Sequence, residues 1–179
     1  MLEKSSWDAR LNSPAIQRTR SGAELFIVDD DPIICDLLSA TFSSGGYQVT
    51  TFTDGEEFNS VARSRAPPAC VILDFIMPGS SGPDILKEIH APSYAAPIIV
   101  MSGMAGIPTA VEAIKNGAFD FIEKPFAVSV LVERVNNAIV AWTQHRINGN
   151  SRENLRMKFP GCRQLPHTKE RFVTPGSKQ

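Results

Sequence analysis

The sequence predicts an α/β fold in which a five-stranded parallel sheet is doubly wound with helices. Three observations carry this prediction. Short apolar runs alternate five times with stretches whose apolar residues recur at helical spacing. The third run, Cys70-Val71-Ile72-Leu73-Asp74, is apolar up to its aspartate and lies between Pro67-Pro68 and Pro78-Gly79, as a strand buried on both faces would. Four of the five runs end in polar residues, where open parallel sheets gather their ligand sites.

Residues 1–22 mix Ser, Arg, Asn and Ala without sustained periodicity and read as a flexible leader. Glu24 to Val28 is the first strand, ending in Asp29-Asp30-Asp31. Asp31 and Pro32 suit the cap and first turn of a helix. Ile34, Leu37, Leu38, Thr41 and Phe42 form its expected inner face, and Gly45-Gly46 stops it. Tyr47 to Phe52 is the second strand. Asp54-Gly55-Glu56-Glu57 then reads as a capping box for a helix turning Phe58, Val61 and Ala62 inward.

After the third strand, Gly82-Pro83 opens a helix carrying Ile85, Leu86 and Ile89. Ile98 to Met101 is the fourth strand, with Ser102-Gly103 at its end. A fourth helix is expected from about Pro108 to Asn116, with Ala110, Val111 and Ile114 inward and Gly117 as its stop. Phe119 to Glu123 is the fifth strand and leads into Lys124-Pro125. The last helix is expected over Val128 to Trp142, with Val128, Leu131, Val135, Ile139 and Trp142 as its inner stripe. For this count of strands and helices the common arrangement is the flavodoxin-like order 2-1-3-4-5. It sets strands one, three, four and five side by side.

Composition narrows the class. The chain has 179 residues, of which 42% are apolar, enough for one globular core. No apolar run approaches the roughly 18 residues of a membrane span, and the first residues hold no apolar signal core. Cys35, Cys70 and Cys162 are scattered without metal-ligand spacing, as reduced thiols of a cytoplasmic protein would be. The net charge of −1 hides an asymmetry. Residues 1–142 hold 10 Lys and Arg against 17 Asp and Glu, whereas residues 143–179 hold 8 against 2. An acidic body with a basic tail implies two regions with different roles.

The predicted order brings Asp29, Asp30, Asp74, Ser102 and Lys124 to one sheet edge. Crowded carboxylates repel one another unless a cation joins them. Hard oxygen ligands in small number suit Mg²⁺, which keeps several waters and accepts phosphate oxygens. Lys124 adds a positive charge and Ser102 a hydroxyl donor. Together these groups fit an anion with several oxygens, and a phosphoryl group is the obvious candidate. Any one of these residues alone has an ordinary explanation: a solvated turn, a helix cap, a surface lysine. Their convergence does not.

From Glu24 to Trp142, about two-thirds of the chain, the sequence resembles the receiver domain of two-component response regulators. The resemblance rests on Val28-Asp29-Asp30, on Leu73-Asp74 with Met77-Pro78-Gly79 and Gly82, on Ser102 behind its apolar strand, and on Lys124-Pro125-Phe126. It implies a CheY-like fold over residues 23–142. It also implies that Asp74 accepts a phosphoryl group from a histidine kinase, with Ser102 and Lys124 holding the phosphoryl oxygens. Asp29, Asp30, Asp74 and the backbone carbonyl of Ile76 are the implied Mg²⁺ ligands. Ser102 and Phe121 are the implied switch, acting through a face made by helix four, strand five and helix five that also suits a homodimer. A cis Lys124-Pro125 bond is part of the pattern. The implied role is a signalling domain that assists its own phosphorylation and dephosphorylation, and not an enzyme acting on outside substrates.

Two departures are mild: Phe75 is bulky, and Ile76 puts an apolar side chain where many receivers have a polar one. Two rival readings are weaker. A docking module without phosphorylation would not need Asp30, Asp74, Ser102 and Lys124 together. An aspartyl phosphatase would want a second carboxylate two residues after Asp74, and Ile76 stands there. The tail, residues 143–179, reads as a basic disordered segment or the remnant of an output domain. Leu165 to Val173 and Gly176 to Gln179 resemble the approach to a helix-turn-helix domain. With several prolines and one short apolar cluster, Phe172-Val173, the tail is expected to bind DNA weakly and non-specifically at most.

Overall fold

The computed structural model describes residues 22–89, 95–103 and 107–147. Five strands, β1 (Glu24–Val28), β2 (Gln48–Phe52), β3 (Cys70–Asp74), β4 (Ile98–Ser102) and β5 (Asp120–Glu123), pair in parallel. Their order is β2-β1-β3-β4-β5, as the alternation of runs predicts. The helices between and after them are α1 (Pro32–Ser44), α2 (Gly55–Ser64), α3 (Gly82–Ile89), α4 (Ile107–Lys115) and α5 (Val128–Ile147).

Local chemistry sets the ends of these elements. The Asp31 carboxylate accepts the Ile33 N–H at 2.8 Å and opens α1 with Pro32 behind it. Gly46 takes a φ of +90°, which stops the helix and turns the chain into β2. Asp54 accepts the N–H groups of Glu56 and Glu57, each at 2.8 Å, and both glutamates complement the positive end of α2. The strand pattern does not foretell a small antiparallel hairpin, Ile76–Met77 against Ser80–Ser81, between β3 and α3.

The sheet is covered on both faces. On one, α2, α3 and α4 bury Phe58, Ala62, Ile85, Leu86, Ile89 and Ala113 against Phe26, Val71, Leu73 and Val100. On the other, α1 and α5 bury Cys35, Leu38, Phe42, Leu131, Val135, Ala138 and Ile139 against Leu25, Ile27, Ile72 and Ile99. β3 contributes to both layers, which explains its unbroken apolar run.

Three sequence expectations need correction. Leu37 is exposed, and the inner stripe of α1 runs through Cys35, Leu38 and Phe42, because the small apolar thiol packs under the first turn. Val111 is exposed likewise: the short α4 meets the sheet through Ala113, a side chain small enough for close approach. Helix α5 runs five residues past Trp142, so the boundary placed at residue 143 falls inside a helix. The apolar stripe does end there, but no Gly or Pro comes before Gly149, and extending a formed helix costs little. Trp142 is held by its indole N–H, which donates to the Ala95 carbonyl at 3.0 Å. The leader and most of the basic tail lie outside the described residues. Among the described residues no helix is long and apolar enough to cross a membrane.

Candidate functional site

The carboxyl ends of β1, β3, β4 and β5 meet at one edge, and their backbones tie the loops beyond them together. The Phe75 N–H donates to the Met101 carbonyl at 2.8 Å, and the Lys124 N–H to the Ser102 carbonyl at 2.8 Å. The Asp29 N–H reaches the Phe52 carbonyl at 3.1 Å. Residues just past each strand therefore continue the sheet's geometry for one more step. The side chains they carry are positioned by the sheet, which is stiffer than any free loop.

Asp29 is 1% exposed and Asp74 7%, whereas Asp30 is exposed at the mouth. Carboxylate oxygens of these three residues lie within 4.8 Å of one another, a spacing that could hold a metal ion. Lys124 reaches in from β5, its Nζ 2.8 Å from Asp29 Oδ2 and 3.2 Å from Asp74 Oδ2. The Asp31 N–H donates to the second Asp29 oxygen, Oδ1, at 3.0 Å. Among the described residues, Asp74 Oδ1 is buried and has no hydrogen-bond partner.

The electrostatics follow from this arrangement. Burial pushes the Asp74 carboxyl up from its ordinary range; the Lys124 charge pulls it down, Asp29 pushes it up again, and the net direction is upward. Hydrogen bonds from Lys124 and the Ile76 backbone favour the ionised form without reversing that result. Burial acts to lower the Lys124 ammonium, but the hydrogen bond to Asp29 and the charge of Asp74 outweigh it and leave its pKa raised. Three carboxylates cluster, two of them on one ammonium, and among the described residues one buried carboxylate oxygen has no partner. Such a donor set suits a small, hard divalent cation that keeps much of its water shell.

The remaining predicted residues are distributed around this centre. Ser102 is fully buried at the end of β4, beside Asp74's neighbour Met101 in the register. Phe121, on β5, is half-buried and packs against the core layer that holds Val100 and Ala113. Ile76 is exposed on the rim and gives Asp74 a backbone hydrogen bond. The Lys124-Pro125 bond is cis.

Two residues that the sequence names have roles at the site that it does not give. Gly82 donates its N–H to the Phe75 carbonyl at 3.1 Å, and a Cβ there would stand 2.7 Å from both Phe75 Cα and Phe75 O. Glycine alone lets the hairpin after Asp74 close onto its own base; Gly79, at φ +81°, makes the turn at its tip. Cys35, which the sequence assigns to packing, sets its Sγ 3.3 Å from the Asp29 carbonyl oxygen and 3.8 Å from that of Phe52. Burial first, and the Asp29 charge next, push this thiol up to about 11, so it remains protonated at neutral pH. No spacing rule links a helix thiol to a strand-end carbonyl six residues earlier.

Comparison with known proteins adds independent findings. Residues 25–136 match the family model for the response regulator receiver domain. The chain is 38% identical over 115 residues to the transcriptional regulatory protein FixJ of Bradyrhizobium diazoefficiens, covering 64% of this chain and 56% of FixJ. It is 34% identical over 153 residues to the response regulator protein TodT of Pseudomonas putida, covering 85% of this chain and 66% of TodT. Against the C4-dicarboxylate transport regulator DctD of Pseudomonas aeruginosa it covers only 25% of the relative. The chain thus spans between a quarter and two-thirds of these curated relatives. Among solved structures, FixJ-N superposes with a TM-score of 0.60 at 32% identity, covering 66% of this chain and 94% of that one. The beryllofluoride-activated NtrC4 receiver domain dimer superposes with a TM-score of 0.60 at 31% identity, covering 66% and 98%.

Proposed function

The chain belongs to the response regulator receiver family, and from that premise we propose that it accepts a phosphoryl group on Asp74 from the phosphohistidine of a partner kinase. The observation that carries this reading is the Asp74 carboxylate itself. One oxygen is held by Lys124 at 3.2 Å, and the other is buried without a partner at the end of the central strand.

Phosphoryl transfer through a loose transition state asks for alignment and charge neutralisation more than for covalent help. An Asp74 oxygen forms the new O–P bond as the P–N bond of the donor breaks, and the electron pair of that bond leaves with the imidazole. Lys124, already between Asp29 and Asp74, stays close to the transferring oxygens and balances their charge. Ser102 offers its hydroxyl from the neighbouring strand end. Asp29, Asp30 and Asp74, with the Ile76 backbone carbonyl, are the ligands we propose for Mg²⁺, which would neutralise the carboxylates and the phosphoryl oxygens when bound.

Drawing Ser102 toward the phosphoryl group would free space that Phe121, half-buried on the neighbouring strand β5 and opposite Val100 in the register, can fill. That repacking would alter the face formed by α4, β5 and α5, where Val111 and Val130 are exposed and Arg134 pairs with Asp120 at 2.6 Å. A homodimer through this face is the proposed consequence, and cytoplasmic residence follows from the proposed kinase partner. Incubation with acetyl phosphate and Mg²⁺ should raise the intact mass by ~80 Da, one phosphoryl unit. Asp74→Asn should abolish the rise; an undiminished rise in that variant refutes the assignment.

A further inference from the structure

We infer that Cys35 is a positioning residue for the aspartate loop: its buried thiol, donating to the Asp29 carbonyl, fixes the carboxylates that would take the cation. The inference rests on the phosphoacceptor reading of the site for its consequence, but its structural part stands on contacts in the chain alone.

Asp29 directly follows β1, its N–H still bonded to the Phe52 carbonyl, and Asp30 and Asp31 come next as the loop turns away. Cys35 lies in α1, the helix that this loop enters, and is only 3% exposed. Its Sγ meets two carbonyls at once, those of Asp29 at 3.3 Å and Phe52 at 3.8 Å, so it sits between the ends of β1 and β2. The Asp29 N–H bonds to the same Phe52 carbonyl at 3.1 Å, and the Asp31 N–H folds back onto Asp29 Oδ1 at 3.0 Å. These contacts form one closed set: strand end, helix first turn and carboxylate, with the thiol at its centre.

A thiol is a weak donor, so its contribution is small in energy and expressed through geometry. With the donor removed, the Asp29 carbonyl is no longer tied to α1, and the peptide joining Asp29 to Asp30 gains freedom to rotate. Asp29 Oδ2 still has Lys124, but Asp30, exposed and without such an anchor, takes its direction from that peptide. Divalent cation binding needs both carboxylates converged, and it should weaken by about three-fold when one hydrogen bond of this size is lost.

The test compares Cys35→Ser, which keeps a donor, with Cys35→Val, which fills similar space without one, in the full chain. Two readouts are taken: Mg²⁺ affinity by calorimetry or NMR titration, and amide hydrogen exchange at Asp29 and Asp31. Cys35→Val should bind Mg²⁺ about three-fold more weakly and exchange faster at both amides, and Cys35→Ser should restore both. A merely structural role would lower the melting temperature of both variants and leave these readouts unmoved. Unchanged exchange at Asp29 and Asp31 in Cys35→Val overturns the inference. Should the unaltered protein bind no Mg²⁺, the metal reading of the site fails, while the exchange comparison still decides the role of Cys35.

Discussion

Replacing Asp74 by asparagine should stabilise the fold at neutral pH when divalent cations are chelated. Asp74 is held with one oxygen buried and unpartnered among the described residues, beside the more deeply buried Asp29. Leaving such a group unsatisfied costs about 1–3 kcal/mol. The opposing term is the contact with Lys124 at 3.2 Å, a partner that is itself 26% exposed and also bound to Asp29. Losing it costs about 0.5–1 kcal/mol. Asparagine keeps the shape and removes the charge, so the expected net gain is about 1 kcal/mol, or roughly 3–5 °C in melting temperature.

The pH dependence has a definite sign. The folded-state pKa of Asp74 is raised, so the native chain holds this proton more tightly than the unfolded chain does. Its penalty is therefore absent below the ordinary carboxylate pKa, grows as pH rises through the folded value, and is complete above it. Urea unfolding of both proteins in chelator should show the gain at neutral pH and its disappearance on acidification. Mg²⁺ should narrow the gap by stabilising the unaltered protein more than the variant. A variant less stable than its parent at neutral pH without divalent cations would refute the reasoning.

Other outcomes follow from the same contacts. Lys124→Met leaves two buried carboxylates without their ammonium and should cost about 3 kcal/mol in chelator, a loss that added Mg²⁺ partly restores; equal stability by urea unfolding would contradict it. Asp30→Ala removes the exposed ligand, and calorimetry should show weaker Mg²⁺ binding with little change in melting temperature. Gly82→Ala pushes a Cβ into the Phe75 backbone and should cost about 1–3 kcal/mol while slowing phosphorylation by acetyl phosphate. With a phosphoryl analogue bound, amide exchange over residues 107–142 should change; identical profiles would count against the Ser102 and Phe121 switch.

Much of the fold is legible in the sequence because β3 is buried on both faces and its neighbours end in polar residues. An unbroken apolar run, two capping aspartates and glycines at helix ends each have a local cause that a sequence displays. The helix faces are less legible. Apolar periodicity favours Leu37 and Val111 by side-chain size, whereas packing chose Cys35 and Ala113, whose small volume lets the helices approach the sheet. The end of α5 is hidden for a related reason: apolar periodicity reports where burial stops, and the helix continues past that point. At the site, the identities of Asp29, Asp30, Asp74, Ser102 and Lys124 are readable, since strand order alone brings them together. What strand order does not show is how charge is shared. Lys124 lies closer to Asp29 than to Asp74, and the Cys35 thiol holds the Asp29 carbonyl. Such contacts depend on side-chain reach across the sheet edge, which no linear spacing encodes.

The central claim is that Asp74, and no other carboxylate of the cluster, carries the phosphoryl group. An acyl phosphate is reduced by borohydride to an alcohol, so trapping the phosphorylated chain converts its acceptor aspartate into homoserine. Peptide mass spectrometry then names the residue. After acetyl phosphate and Mg²⁺, homoserine is expected at position 74 alone, and none when Mg²⁺ is chelated. Homoserine at position 29 or 30 would contradict it.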